Sequence, residues 1–294
     1  MHAPTHRPAR RWRTAAIAAL AVVAAAGIAL AVVLPSNHSA SPQNASPPAP
    51  RSTTTAKAAT PTTVAAAPSR VAPAAPHVAP APARVPTPTT SSCRAVVHIG
   101  DSTSESLVSA DYLPNPLERL NARYAQVGAI HQNFQISGAR SIVETYEGEP
   151  NALTVAQEIA ASGYRGCWVV DMGVNDAADI AAGSRVSAPE RIQRMMSVIG
   201  SQPVMWVAVK TLVPSGPYSE ANMQSWNAAL LHACASHPNM RVMNWAALAE
   251  PSYYIPDGIH YNTPGSAVLA AAFGTGLVHA FPVTGPAPAQ CLVP

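Results

Sequence analysis

Ala95-Val96-Val97-His98-Ile99-Gly100-Asp101-Ser102 decides how the C-terminal two-thirds of this 294-residue chain is read. A short Val/Ile run ending in Gly and Asp reads as a strand buried on both faces. The serine then falls in the turn that leads into the next helix. Cys167–Asp171, Val204–Val209 and Val242–Trp245 have the same character, and Ile130–Ile136 is a weaker fifth member. Between these runs, Pro116–Ala125, Ala152–Ala161, Pro189–Ile199, Glu220–Ala235 and Pro264–His279 carry helical spacing, the last opened by Thr263 as N-cap and Pro264 as first helical residue. Strand alternating with helix predicts a three-layer α/β/α domain around a central, mainly parallel, five-stranded sheet. Ligand sites in such sheets lie beyond the carboxyl ends of the strands, where Ser102 and Asn175 both fall.

Outside this domain the composition changes sharply. Residues 1–92 contain no Asp or Glu and eight of the 18 Lys and Arg, so the remainder holds ten basic against 15 acidic residues, a net of −5. A net-negative domain offers no basic face to nucleic acid. Ala15 to Leu34 is built only of Ala, Ile, Leu, Val and Gly, and as a helix at ~1.5 Å per residue it spans ~30 Å, the thickness of a bilayer core. Arg7, Arg10, Arg11 and Arg13 precede it and favour a cytoplasmic N-terminus. Residues 1–14 are therefore expected in the cytoplasm, 15–34 as a single-pass signal anchor, and the rest outside; a cleaved signal peptide is the competing reading. Residues 35–92, with 13 prolines and almost no large apolar side chains, are expected to form a disordered linker that reaches from ~40 Å as a coil to ~180 Å as extended polyproline.

Three motifs in residues 93–294 carry chemistry. The hydroxyl of Ser102 is placed to attack a carbonyl, although Ser102-x-x-Glu105 also matches a capping box that would leave the serine merely capping a helix. His260 could take its proton and Asp257 orient the imidazole, both from one loop ahead of the last helix. In Gly173-Val174-Asn175-Asp176 the Asn175 amide could donate to the oxyanion of a tetrahedral intermediate, and the unobstructed N–H of Gly138 could do the same. Tyr253 and Tyr254 are candidates for substrate contact. His98 and Lys210 are candidates for the cleft wall, and Trp168, Trp206 and Trp245 read as core. Cys93, Cys167, Cys234 and Cys291 lack the close spacing of a metal site; exported cysteines pair, and the expected pairs are Cys93–Cys291, which bracket the domain, and Cys167–Cys234.

Together, Gly100-Asp101-Ser102, Gly173-x-Asn175-Asp176 and Asp257-x-x-His260 resemble the blocks of the SGNH hydrolases, also called GDSL esterases, over roughly residues 94 to 281. The resemblance implies an SGNH or flavodoxin-like fold, a Ser102–His260–Asp257 triad, and an oxyanion hole made by the Ser102 N–H, Gly138 and Asn175, with no metal or organic cofactor. Thr103 stands where Leu would complete Gly-Asp-Ser-Leu, a departure from the lipase-like members. The domain looks more like the extracytoplasmic SGNH modules of bacterial envelope acyltransferase and esterase systems. The expectation is a membrane-anchored serine esterase or acyltransferase acting on short acyl esters of cell-envelope carbohydrate, with any membrane acyltransferase partner a separate protein. A thioesterase or lysophospholipase and a non-catalytic glycan-binding module are the alternatives.

Overall fold

Six parallel strands form one sheet in the order β2-β1-β3-β4-β5-β6 in this computed structural model, which describes residues 89–294. The basic N-terminus, the expected membrane helix at 15–34 and nearly all of the expected linker at 35–92 lie outside the described residues. In chain order the strands are β1 Ala95–Gly100, β2 His131–Ile136, β3 Cys167–Asp171, β4 Val204–Val207, β5 Met240–Met243 and β6 Leu292–Val293. The helices are α1 Ser102–Val108, α2 Leu120–Gln126, α3 Ala152–Ala161, α4 Val174–Ala181, α5 Ala188–Ile199, α6 Glu220–Cys234, α7 Trp245–Leu248 and α8 Thr263–Ala280, with 3-10 turns at Pro116–Glu118 and Pro251–Tyr253.

Side-chain alternation along the strands divides the core into two layers. Val97, Ile99, Trp168, Val170 and Trp206 pack with Ile159 of α3, Ile192 and Met195 of α5, and Trp226 and Leu230 of α6. Their neighbours Val96, Val169, Met205 and Val207 pack on the other face with Leu107 of α1, Leu120 and Tyr124 of α2, and Leu269 and Phe273 of α8. Each such side chain removed from water contributes about 1.5–3 kcal/mol, which is why the central strands show no polar alternation. Trp168, Trp206 and Trp245 are all buried, as core residues should be.

The structure corrects the expected sheet by one strand. Leu292–Val293 adds to β5 through the Val242–Leu292 and Met243–Val293 pairs. Two residues inside a Pro-rich tail carry no periodicity from which a strand could be read. Trp245 begins α7 and does not end β5, and the expected helix Pro116–Ala125 is split at Arg119, whose ψ of 152° is extended. The folded region also reaches back past Cys93: the Ser91 N–H donates to Val127 O at 2.9 Å, and its hydroxyl donates to Leu277 O and Phe281 O.

The disulfide pairing differs from the expected one. Cys93 joins Cys167, and Cys234 joins Cys291. Cys93 precedes β1 and Cys167 begins β3, and these strands are hydrogen-bonded neighbours with Val96 opposite Cys167. Cys234 ends α6, and Cys291 immediately precedes β6. Bracketing the domain in sequence did not make Cys93 and Cys291 neighbours in space; strand adjacency decided the pairs. The bonds close separations of 74 and 57 residues, for which loop-closure entropy gives roughly 4 kcal/mol each. Non-reducing peptide mapping is expected to recover Cys93–Cys167 and Cys234–Cys291 peptides, and a Cys93→Ser/Cys167→Ser variant to melt well below the parent chain; a Cys93–Cys291 peptide would refute this pairing.

Candidate active site

The order 2-1-3 reverses direction at β1, so the segments leaving β1 and β3 diverge and open a crevice between them. Ser102 lies in the first segment and Asn175 in the second. Asp101, not Ser102, caps α1: its Oδ1 accepts from the Thr103 N–H at 2.8 Å and from the Thr103 hydroxyl at 2.7 Å. The capping-box role considered for the serine is therefore filled by its neighbour. Ser102 is the first helical residue, half-buried, and its Oγ is 2.8 Å from His260 Nε2. A Cβ on Gly100 would lie 2.3 Å from Ser104 Oγ, so the close approach of α1 to the end of β1 requires glycine there.

The His260 loop is fixed by its own backbone. Ile255 N donates to His260 O at 2.9 Å, Gly258 N to Ile255 O at 3.0 Å, and Leu212 N to Gly258 O at 2.7 Å. Gly258 turns at φ 71°, which glycine tolerates without strain. Asp257 Oδ1 accepts from the Ile259 and His260 amides at 2.8 and 3.0 Å, while Oδ2 lies 2.7 Å from His260 Nδ1. Burial works to raise the Asp257 pKa, but the hydrogen bonds from the His260 ring and the two amides outweigh it and hold the carboxyl below its usual range. Asn262 caps α8 through Gly265 N at 2.9 Å, one residue earlier than the Thr263 expected from the sequence.

Asn175 sits in the first turn of α4 and is buried. Its Nδ2 donates to Arg140 O at 3.1 Å and to Asp101 Oδ2 at 3.3 Å, and its Oδ1 accepts from the Tyr218 hydroxyl at 3.2 Å. Gly173 before it has φ 141°, and a Cβ there would sit 2.2 Å from Trp226 Nε1, so the turn from β3 into α4 admits only glycine. Gly138 follows β2 by two residues, beside the end of β1, where Ser137 N donates to Gly100 O; an added Cβ would meet Glu105 Oε1 at 3.3 Å. Ala139, next to it, takes a left-handed φ of 53°. Ser102, His260, Asp257 and Asn175 are thus joined by direct bonds or through Asp101, and Gly138 borders the same helix start.

Several residues that shape this region carried no expected role of their own. Asp101 links the Ser102 turn to Asn175, and Arg140 and Tyr218 hold the amide from two other loops. Arg191 of α5, fully buried, pairs with Asp176 at 2.8 Å and with Glu144, tying α4 to the segment that follows Gly138. An Arg in an amphipathic helix gives no sign of this; only Asp176 beside Asn175 was a usable signal. Lys210 donates to Ala249 O at 2.7 Å and Tyr254 to Lys210 O at 3.1 Å, both as structural ties. Tyr254 also lines a cavity of about 470 Å³ together with Leu212, Ile255 and Asp257, whereas Tyr253 stacks on Trp245.

His98 is fully buried beneath α1. Ser104 Oγ donates to Asp171 Oδ2 at 2.5 Å and lies 3.0 Å from His98 Nε2, while His98 Nδ1 is 2.8 Å from the Tyr124 hydroxyl. Burial lowers His98 to about 3 and keeps it neutral. Asp171 is raised to about 7, by burial first and then by the nearby charge of Asp101, with the Ser104 bond opposing. Asp101 is itself raised by burial, against the Thr103 bonds and the charge of His260. An acid raised on folding binds protons as the chain folds. Its stabilisation is therefore full below the unfolded value of 3.8 and lost as pH rises through about 7. Asp171→Asn should gain stability relative to the parent over that window, by at most about 4 kcal/mol; melting curves from pH 4 to 8 with a pH-independent difference would contradict this.

No family model and no curated protein matches the chain. Among solved structures, it is similar to a lipase/acylhydrolase from Enterococcus faecalis at 17% identity, covering 62% of this chain and 94% of that one with a TM-score of 0.49. It is similar to Est24, a carbohydrate acetylesterase from Sinorhizobium meliloti, at 19% identity, 64% and 100% coverage and a TM-score of 0.47. The C-terminal catalytic domain of peptidoglycan O-acetyltransferase A from Streptococcus pneumoniae is similar at 13% identity, 63% and 93% coverage and a TM-score of 0.47.

Proposed function

We propose that the chain is a serine esterase or acyltransferase of the SGNH type that acts on short acyl esters, with Ser102 as nucleophile. The carrying observation is the pair of contacts on one imidazole: Ser102 Oγ at 2.8 Å from Nε2 and Asp257 Oδ2 at 2.7 Å from Nδ1. With the proton on Nδ1 directed at Asp257, Nε2 is free to accept the Ser102 proton as Oγ bonds to the ester carbonyl carbon. The proton then passes from His260 to the departing alcohol oxygen as the ester C–O bond breaks, leaving an acyl-Ser102. Water, or a sugar hydroxyl in a transfer reaction, gives its proton to His260 as its oxygen bonds to the acyl carbon, and His260 returns that proton to Ser102 Oγ as the acyl–Oγ bond breaks. The Ser102 and Gly138 N–H groups and the looser of the two Asn175 N–H bonds, that to Asp101, serve the oxyanion; one such donor is worth about 3–4 kcal/mol.

The departure of Thr103 from Gly-Asp-Ser-Leu supports a short acyl group over a fatty acyl chain. Envelope carbohydrate as the substrate class, anchoring through residues 15–34 and the separateness of any membrane acyltransferase partner are proposals that the sequence alone supports. Four cysteines all paired in disulfides support an oxidising, extracytoplasmic setting.

Ser102→Ala should lower turnover of p-nitrophenyl acetate by about 10³-fold or more and abolish labelling by a fluorophosphonate; retained turnover would remove Ser102 from the chemistry. On the parent chain, acetate esters should be cleaved faster than octanoate or palmitate esters, and the reverse order would favour the lipid-esterase reading. In fractionated cells the chain should stay with membranes after alkaline wash. A soluble protein beginning beyond Leu34 would replace the anchor with a cleaved signal.

A further inference from the structure

Tyr218 carries no sequence motif, yet it touches Asn175 directly. It lies on the loop between β4 and α6, and that loop is closely held. The Thr211 hydroxyl donates to Tyr218 O at 2.7 Å, and the Asn222 amide donates to Gly216 O at 3.1 Å and Pro217 O at 2.9 Å. Glu220 is bonded twice to the start of the loop, accepting from Thr211 N at 2.9 Å and donating its own N–H to Val213 O at 2.9 Å. The backbone that carries the phenol is therefore held in place. Its hydroxyl reaches Asn175 Oδ1 at 3.2 Å, while the residue as a whole remains 37% exposed.

We propose that the Tyr218 hydroxyl sets which way the Asn175 amide faces, which makes Tyr218 a positioning residue for the oxyanion donor. The inference rests on the proposed role of Asn175 as that donor. An amide presents O and N ends of nearly equal size, so only its partners decide which end faces the nucleophile. The Tyr218 O–H, bonded to Oδ1, turns Nδ2 toward Arg140 O and Asp101, the side on which Ser102 lies. Burial first, then the charges of Asp179 and Asp101, push the phenol pKa up, so it stays protonated and remains a donor.

On the full chain, Tyr218→Phe should lower kcat for p-nitrophenyl acetate about five- to tenfold with KM unchanged. An unchanged kcat overturns the orienting role, as does a loss confined to KM. A parent chain that carries Tyr218 and shows no turnover counts instead against the proposed function, and with it against the donor role on which the orienting inference rests.

Discussion

The carboxylate of Asp101 is the constraint on which the site depends. A helix that starts directly after a strand leaves N–H groups without partners, and some side chain must satisfy them. Asp101 does this for Thr103 with one oxygen and reaches Asn175 with the other. Because the cap is already supplied, the Ser102 hydroxyl is available to His260. The same carboxylate sits fully buried near a second buried carboxylate, Asp171, and its charge adds to the cost that burial already sets on ionising Asp171. Thr103 is what makes this arrangement tolerable, since its amide and hydroxyl both donate to Asp101. The residue that departs from Gly-Asp-Ser-Leu thus has a local physical reason to be a threonine.

Much of the fold was legible in the sequence because strands buried on both faces are apolar along most of their length, as β1, β3 and β4 are apart from His98 and Asp171. The alternation of those runs with long helices then constrained the topology. The site residues were legible for a different reason: Ser102, Asn175 and the Asp257–His260 pair each follow or stand beside an element whose end is marked by glycine or proline. What escaped was set by tertiary adjacency. Cys93 meets Cys167 only because β1 and β3 are neighbours in the sheet, and β6 exists only because β5 offers it an edge. Tyr218, Arg140 and Arg191 act through contacts between segments far apart in the chain, and no local pattern marks such a contact.

Buried polar groups on the helix-α1 side of the sheet are organised as a chain of partners. Tyr124, His98, Ser104 and Asp171 each bond to the next, so α1 is anchored to β1 and β3 by hydrogen bonds as well as by Leu107 packing. On the other side, Arg191 joins Asp176 and Glu144 and fixes α4 against the segment after β2. The two networks support the two helices that begin at the crevice. Interactions of this kind are costly when only half made, so a substitution among their members is tolerated where it keeps the partner satisfied, as Asn at Asp171 would by still accepting from Ser104.

Ser102 and His260 stand 158 residues apart in the chain, with Asn175 between them. A ribosome making this protein produces the hydroxyl long before the imidazole that would activate it. Every nascent chain that ends before residue 260 therefore carries the serine without its proposed base. Contacts of such separation also make for slow maturation, so the proposed chemistry is a timed property of the molecule as well as a spatial one.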